Sequence, residues 1–197
     1  MNSEDHKKIL SFYEDSFAKH GNDPRSVHWS GEISQTVRFG ILSDIVPLAG
    51  RSVLDVGCGL GDLYKFFISK KISVEYTGVD IVPAFIERAR ERFPDAHFIL
   101  GDASILIEDY DYILVSGAFN LVTTDSKEYY FTMIKNLFAR AKYGLAFNML
   151  DSEEHPTNET YISYNIEEVE KFCKTITDKV KIISGYLPQD FTVYMYK

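Results

Sequence analysis

The chain has 197 residues, 45% of them hydrophobic and 25% charged, which is typical of a globular domain that buries a full core. It carries 21 Lys and Arg against 29 Asp and Glu, and this net charge of -8 disfavours nucleic acid as a partner, because phosphate backbones repel an acidic protein. No apolar run approaches the roughly 20 residues that span a membrane, the N-terminus lacks a secretory signal, and the two cysteines make no disulfide framework, so a cytoplasmic protein is expected.

Two amphipathic helices are predicted at the start of the chain. Apolar residues recur at helical spacing over residues 3 to 19 and again over residues 35 to 46. We expect both helices to lie over the open end of the sheet that follows. The irregular region 22–34 separates them and carries the only tryptophan, Trp29, which either packs in the core or covers a cleft.

Strands and helices alternate after these two helices, which predicts a parallel sheet with crossover helices. The predicted strands are residues 53–56, 74–79, 97–102, 112–115 and 145–150, and residues 180–184 and 191–196 form a terminal hairpin. Helices are predicted after Gly61, from Pro83, after Asp125 and after Asn165. The last two have Glu three residues on, which is the spacing of a capping box.

A glycine-rich turn follows the first predicted strand. Gly57, Gly59 and Gly61 let the backbone turn tightly, with no Cβ between the main chain and a ligand. The free N–H groups of the next helix favour an anionic group at the turn. The spacing is Gly-x-Gly-x-Gly, and Asp62 stands where a dinucleotide-binding fold has its third glycine. The turn therefore predicts a nucleotide-like ligand at the carboxyl end of the strand. Its glycine spacing is not that of a dinucleotide-binding fold.

Three aspartates, Asp55, Asp80 and Asp102, accompany the ends of three consecutive predicted strands. The carboxyl ends of parallel strands meet at one edge of a sheet, so we expect these carboxylates to lie close together. Asp80 is placed to accept hydrogen bonds from both hydroxyls of a ribose, and Asp102 from an exocyclic amine such as that of adenine. A lone aspartate at a strand end is more often a helix cap or a solvated residue, but three in succession favour a nucleoside site.

These motifs resemble those of the class I S-adenosylmethionine-dependent methyltransferases. The resemblance covers about residues 50 to 197 and is carried by residues 53–61, 77–80 and 101–103. It implies a single α/β domain with a Rossmann-like three-layer sandwich and a seven-stranded, mostly parallel sheet with an antiparallel C-terminal hairpin strand. Residues 1–48 would form an N-terminal helical cap and residues 49–197 the cofactor-binding core.

The resemblance also implies S-adenosyl-L-methionine as cofactor and S-adenosyl-L-homocysteine as product. The glycine turn and Ser116 would lie against the methionine part, Asp80 would hold the ribose, Ile81 would pack on the adenine face, and Asp102 with the Ala103 backbone would read its polar edge. The cofactor-binding residues expected on this basis are Asp55, Gly57, Cys58, Gly59, Asp80, Ile81, Asp102, Ala103 and Ser116. The Cys58 thiol is expected to fill space and not to act as a nucleophile, since no cationic neighbour in the sequence lowers its pKa.

Arg38 lies on the second predicted helix, where it is either a solvated residue or a bidentate clamp for the cofactor's carboxylate. The candidate general bases are His28 and His155, each of which is otherwise a surface residue. His155 belongs to a long connection, residues 151 to 165, that is a candidate lid. Asn120 and Asn148 either orient a substrate or are structural.

The end of the fourth predicted strand limits the choice of acceptor. Residues 116–119 lack the Asn or Asp-Pro-Pro-Tyr motif of methyltransferases that act on exocyclic or amide nitrogens, and Ser116 is not the carboxylate that a metal-dependent catechol enzyme would need. We therefore expect a small polar acceptor with an oxygen or nitrogen nucleophile, and no metal.

Two other functions remain open. One is a non-catalytic subunit that binds S-adenosylmethionine and acts through a partner. The other is a nicotinamide-dependent oxidoreductase, which the glycine spacing and the absence of a Tyr-x-x-x-Lys pair disfavour. The oligomeric state is not predicted.

Overall fold

A computed structural model describes residues 2–27, 31–105 and 107–197. Within them, seven strands form a sheet in the order β3-β2-β1-β4-β5-β7-β6. The first five pair in parallel, and β7 is antiparallel to both β5 and β6. The strands are Ser52–Val56 (β1), Glu75–Asp80 (β2), His97–Leu100 (β3), Tyr110–Val115 (β4), Ala141–Leu150 (β5), Val180–Ser184 (β6) and Asp190–Tyr196 (β7). This arrangement confirms the predicted fold class.

Helices cover both faces of the sheet and bury its apolar side chains. The helices are Ser3–His20 (α1), Glu32–Ser43 (α2), Asp62–Ser69 (α3), Pro83–Arg92 (α4), Ser126–Arg140 (α5) and Ile166–Lys174 (α6), with short 3-10 turns at Pro24–Val27 and Ala103–Ile105. Leu54 and Ile113 face α5 and α6, whereas Val53 and Leu114 face α2, α3 and α4. Each such fully buried side chain contributes roughly 1.5–3 kcal/mol.

The two N-terminal helices occupy different places. α1 lies over the carboxyl ends of β1 and β2, where Tyr13 and Phe17 pack around Phe85. α2 instead packs on a face of the sheet, because its stripe of Phe39 and Leu42 fits the apolar surface there. The expectation that both helices lie over the open end of the sheet is therefore met by α1 only. The division into a cap, residues 1–48, and a core, residues 49–197, stays a prediction.

Of the two predicted helix caps, one forms, as a side-chain N-cap without the reciprocal bond of a capping box, since the Glu168 carboxylate pairs with Lys127. The Asn165 side chain accepts a hydrogen bond from the Glu168 backbone N–H at 3.1 Å. Asp125 instead has a left-handed backbone with φ of +53° and makes no cap bond, because a side-chain cap needs an extended backbone. Just before the helix, the Ser126 hydroxyl accepts from the Thr123 N–H at 2.7 Å. In the described ranges, none of the helices is both long and apolar enough to cross a membrane.

Candidate functional site

A cavity opens at the carboxyl edge of the sheet, beneath α1. It encloses about 1020 Å³ when the open space at its mouth is included. Side chains and backbone from the ends of β1, β2 and β4, from α1 and from α5 line it. Eight of the expected cofactor-binding residues are in the lining: Asp55, Gly57, Gly59, Asp80, Ile81, Asp102, Ala103 and Ser116.

The glycine turn presents bare main chain to this cavity. Gly57 has φ of +72°, and a Cβ there would lie 2.7 Å from the Ala118 Cβ, so both its conformation and its surroundings require glycine. Its backbone N–H donates to the Val79 carbonyl at 2.9 Å, which ties the turn to β2. The close approach of Ala118 brings the residues after β4 against the turn.

Cys58 belongs to the turn, but its side chain points away from the cavity and is not in the lining described. The thiol packs over β2, where both its Cβ and its Sγ would lie 2.9 Å from a Cβ at Gly78. Burial, with a smaller contribution from Asp80, raises the pKa of the Cys58 thiol well above its ordinary value. The Cys58 side chain therefore fills space, as expected, and a contact of its backbone with a cofactor stays a prediction.

Asp80 holds its carboxylate at the end of β2 through two backbone hydrogen bonds. Oδ2 accepts from the Gly59 N–H and Oδ1 from the Val82 N–H, each at 2.9 Å. Burial raises the pKa of Asp80 above its ordinary value, and these bonds offset part of that rise. A carboxylate has about four acceptor sites, so lone pairs remain for the hydroxyl groups of a ligand.

Asp55 lies deeper, at the floor of the cavity, and is 2% exposed. Its Oδ2 accepts from the Tyr76 hydroxyl at 2.6 Å. Burial raises the pKa of Asp55 to about 7, with the charges of Asp80 and Asp62 adding to the rise and the Tyr76 bond opposing it. The group therefore changes its charge near neutral pH.

The ends of β3 and β4 complete this edge of the sheet. The Asp102 Oδ1 accepts from the Ser104 N–H at 2.8 Å, which starts the 3-10 turn that contains Ala103. After β4, the Asn148 Oδ1 accepts from the Gly117 N–H at 2.8 Å, and its Nδ2 donates to the Ser116 hydroxyl at 3.4 Å. Asn148 therefore positions the end of β4, which is the structural one of its two expected roles.

Asn120 also makes a structural bond, since its Oδ1 accepts from the Leu150 N–H at 3.3 Å. The charged side chains among the described lining residues are all acidic. Over the same ranges, no group of three or more His, Cys, Asp or Glu side chains is arranged to hold a metal ion.

Arg38 is not among the residues that line the cavity. Its Nη2 donates to the Asp190 Oδ2 at 2.6 Å, and the two side chains form a buried ion pair between α2 and β7. The helix packs on the face of the sheet, which directs this guanidinium to β7. The geometry therefore does not support the expected clamp on a cofactor carboxylate.

Of the two candidate bases, only His155 can be placed, and it is not in the described lining. His28 lies outside the described residues, as does Trp29. His155 stands 6.1 Å from Tyr161, measured between ring centroids, and its Nδ1 is buried with no hydrogen-bond partner among the described atoms. Tyr161 forms a β-bridge with Leu121, which lines the cavity, so the connection that carries His155 borders the site.

Several lining residues were not expected to belong to the site. Tyr13 comes from α1, and Tyr129, Tyr130 and Met133 come from α5. Sequence periodicity identified them only as the buried stripes of two helices. The available signal was the hydroxyl of each tyrosine, because a tyrosine on a buried stripe needs a polar partner that a phenylalanine would not.

Comparison with known proteins agrees with this geometry. The sequence profile of a family described as "Methyltransferase domain" matches residues 53–140. Trans-aconitate 2-methyltransferase of Delftia acidovorans is 30% identical over 150 residues, which are 73% of this chain and 54% of that protein. The chain thus spans about half the length of that relative. Malonyl-[acyl-carrier protein] O-methyltransferase of Anoxybacillus flavithermus is 36% identical over 77 residues, 37% of this chain and 30% of that protein.

Solved structures show the same fold. Magnesium protoporphyrin IX methyltransferase from Synechocystis PCC 6803, crystallised with bound SAM, superposes with a TM-score of 0.72 at 16% identity and covers 100% of both chains. Residues 53–140 therefore match a methyltransferase domain. The chain has the Rossmann-like fold of a solved S-adenosylmethionine-dependent methyltransferase.

Proposed function

We propose that this chain binds S-adenosyl-L-methionine in the cavity and transfers its methyl group to a small-molecule acceptor, leaving S-adenosyl-L-homocysteine. One observation carries the proposal: Asp55, Asp80 and Asp102, from the ends of three adjacent strands, line a single cavity. Such a set of acids suits a ligand that offers hydroxyl and amine donors and carries a positive sulfonium.

Each part of the cofactor has a matching group in the lining. Asp80 accepts from the ribose hydroxyls through the lone pairs that its two backbone bonds leave. Ile81 packs on the adenine face, and Asp102 with the Ala103 backbone reads the polar edge of the base. The methionine part lies along the glycine turn and Ser116. The absence of Cβ atoms at the turn allows this close approach.

The cofactor, when bound, supplies an activated methyl group, so the chain chiefly aligns the acceptor and excludes water. Ile9 and Tyr13 of α1 form the apolar roof that excludes water. His28 and His155 remain candidate general bases. His155 is supported by the contact of its connection with the cavity, through the bridge between Tyr161 and Leu121.

The charge of the site supports a proposal about the acceptor. The two relatives are named for trans-aconitate and for malonyl-[acyl-carrier protein], which are carboxylic acids. Trans-aconitate carries three carboxylates, and every charged side chain in the described lining is acidic. Because like charges repel in a partly buried site, we propose an acceptor with less negative charge than trans-aconitate.

Two experiments test this function. In calorimetric titrations we expect S-adenosylhomocysteine to bind one molecule per chain and NAD not to bind. With methyl-labelled S-adenosylmethionine, we expect label to pass to a component of a small-molecule extract and not to trans-aconitate. Binding without transfer to any small molecule would favour a non-catalytic subunit, and NAD binding in place of S-adenosylhomocysteine would overturn the proposal.

A further inference from the structure

Two adjacent tyrosines on α5 line the cavity but differ in what their hydroxyls contact. The rings of Tyr129 and Tyr130 lie 5.1 Å apart between centroids. The Tyr130 hydroxyl donates to the Leu121 carbonyl at 2.8 Å. The Tyr129 hydroxyl oxygen is buried, yet it has no hydrogen-bond partner among the described residues. Tyr130 is therefore satisfied by the fold and Tyr129 is not.

A buried hydroxyl without a partner destabilises a folded protein, and a phenylalanine would fill the same space without that cost. The position of Tyr129 offers an explanation. α5 packs against the 3-10 turn Ala103–Ile105, at the part of the lining where Asp102 also stands. The hydroxyl thus belongs to the region assigned above to the base of a bound nucleoside.

We propose that the Tyr129 hydroxyl hydrogen-bonds to the purine base of the bound nucleoside, beside Asp102, and so contributes to recognition of the base. This inference rests on the proposed function. Adenine presents a ring-nitrogen acceptor, N7, next to its exocyclic amine, and a hydroxyl can donate to the first or accept from the second.

The electrostatic surroundings of Tyr129 agree with this role. Burial raises the pKa of the Tyr129 hydroxyl, and the carboxylates of Asp102 and Asp5 raise it further. The hydroxyl therefore keeps its proton at neutral pH and can both donate and accept.

The test compares Tyr129→Phe with the wild type in calorimetric titrations of three ligands. These are S-adenosylhomocysteine, its 7-deaza analogue, which lacks the N7 acceptor, and its inosine analogue, which lacks the exocyclic amine. We expect Tyr129→Phe to bind S-adenosylhomocysteine roughly three- to thirtyfold more weakly. The difference between variant and wild type should nearly vanish for the analogue that lacks the contacted group.

A matched control removes a buried tyrosine hydroxyl outside the cavity. The Tyr164 hydroxyl donates to the Phe119 carbonyl at 2.8 Å, and Tyr164 is 1% exposed. Tyr164→Phe should lower the midpoint temperature of thermal unfolding and leave the affinity for all three ligands unchanged. Tyr129→Phe should leave the unfolding midpoint of the ligand-free protein unchanged or raise it, since no protein hydrogen bond is lost.

Equal affinity of Tyr129→Phe and wild type for S-adenosylhomocysteine would overturn the inference. So would the same loss for all three ligands, because the hydroxyl would then not touch either group of the base. A wild-type protein that binds none of the three would overturn the proposed function and this inference with it.

Discussion

At the scale of single residues, the site depends on carboxylates that the fold keeps buried. Asp80 is fixed by two backbone N–H groups before any ligand is bound. The sequence located this residue because it directly ends an apolar strand. It could not reveal that the Tyr129 hydroxyl lacks a protein partner, since that depends on every element packed around α5.

Replacing Asp80 tests its contact with the cofactor. Asp80→Ala should weaken binding of S-adenosylhomocysteine by about 1–3 kcal/mol in calorimetry, because the ribose hydroxyls lose their buried acceptor. Asp178→Ala, at an exposed aspartate, serves as the control and should bind like the wild type. Unchanged affinity in folded Asp80→Ala would remove Asp80 from the site.

Asp55 should make the stability of the protein depend on pH. Its pKa is about 7 in the folded chain and ordinarily 3.8, so between about pH 4 and pH 7 the folded state holds a proton that the unfolded state has lost. Stability must therefore fall as the pH rises through this window. The shift corresponds to a loss on the order of 4 kcal/mol by pH 7.

Asp55→Asn is the matching variant, because its amide oxygen can still accept from the Tyr76 hydroxyl. In urea denaturation at a series of pH values, the wild type should lose stability relative to Asp55→Asn between about pH 4 and pH 7. Buried acids that do not interact with Asp55 are common to both proteins and cancel in this comparison, whereas the charge of Asp80 is part of the Asp55 shift. Parallel pH profiles would show that Asp55 is not perturbed.

At the scale of elements, the glycine turn needs glycine for two reasons, its left-handed backbone and the lack of space for a Cβ. Comparison of Gly57 with Gly50 separates these two reasons. Gly57 and Gly50 have φ of +72° and +75°, but a Cβ at Gly57 would meet Ala118, whereas one at Gly50 would meet none of the described atoms within 4 Å. Gly50→Ala should cost about 1–2 kcal/mol from left-handed backbone strain. Gly57→Ala should cost clearly more in chemical denaturation, and it should also weaken cofactor binding. Equal losses of stability would contradict the steric account.

Element order was predictable, whereas some boundaries and caps were not. The apolar runs of β1 and β2 and the Asn165 cap followed from local patterns. The start of β5 at Ala141 did not, because Lys142 and Tyr143 are exposed and interrupt the apolar run. The capping box at Asp125 was wrong because the residue adopts a left-handed backbone, which the sequence pattern does not reveal.

At the scale of the whole molecule, a buried ion pair joins helix α2 to the last strand, β7. Arg38 and Asp190 are 152 residues apart in sequence and meet at 2.6 Å. Local sequence reasoning could place Arg38 on a helix near the first strand but could not identify so distant a partner. The clamp hypothesis and the structural pair therefore have to be separated by experiment.

Arg38→Ala separates these two roles. If Arg38 is structural, its replacement by alanine should lower the free energy of unfolding by about 3–5 kcal/mol, because Asp190 is then left buried and uncompensated. The affinity of the folded variant for S-adenosylhomocysteine should stay close to that of the wild type. The double variant with Asp190→Ala should lose less stability than the two single losses added together. Unchanged stability with a more than about tenfold loss of affinity would restore the clamp.

A crystal structure of the protein with S-adenosylhomocysteine tests the central claim most directly. The account predicts the ligand in the cavity beneath α1, with its ribose hydroxyls on the Asp80 carboxylate and its base beside Asp102. A ligand found elsewhere on the chain, or a cavity closed by the protein's own side chains under saturating ligand, would contradict it.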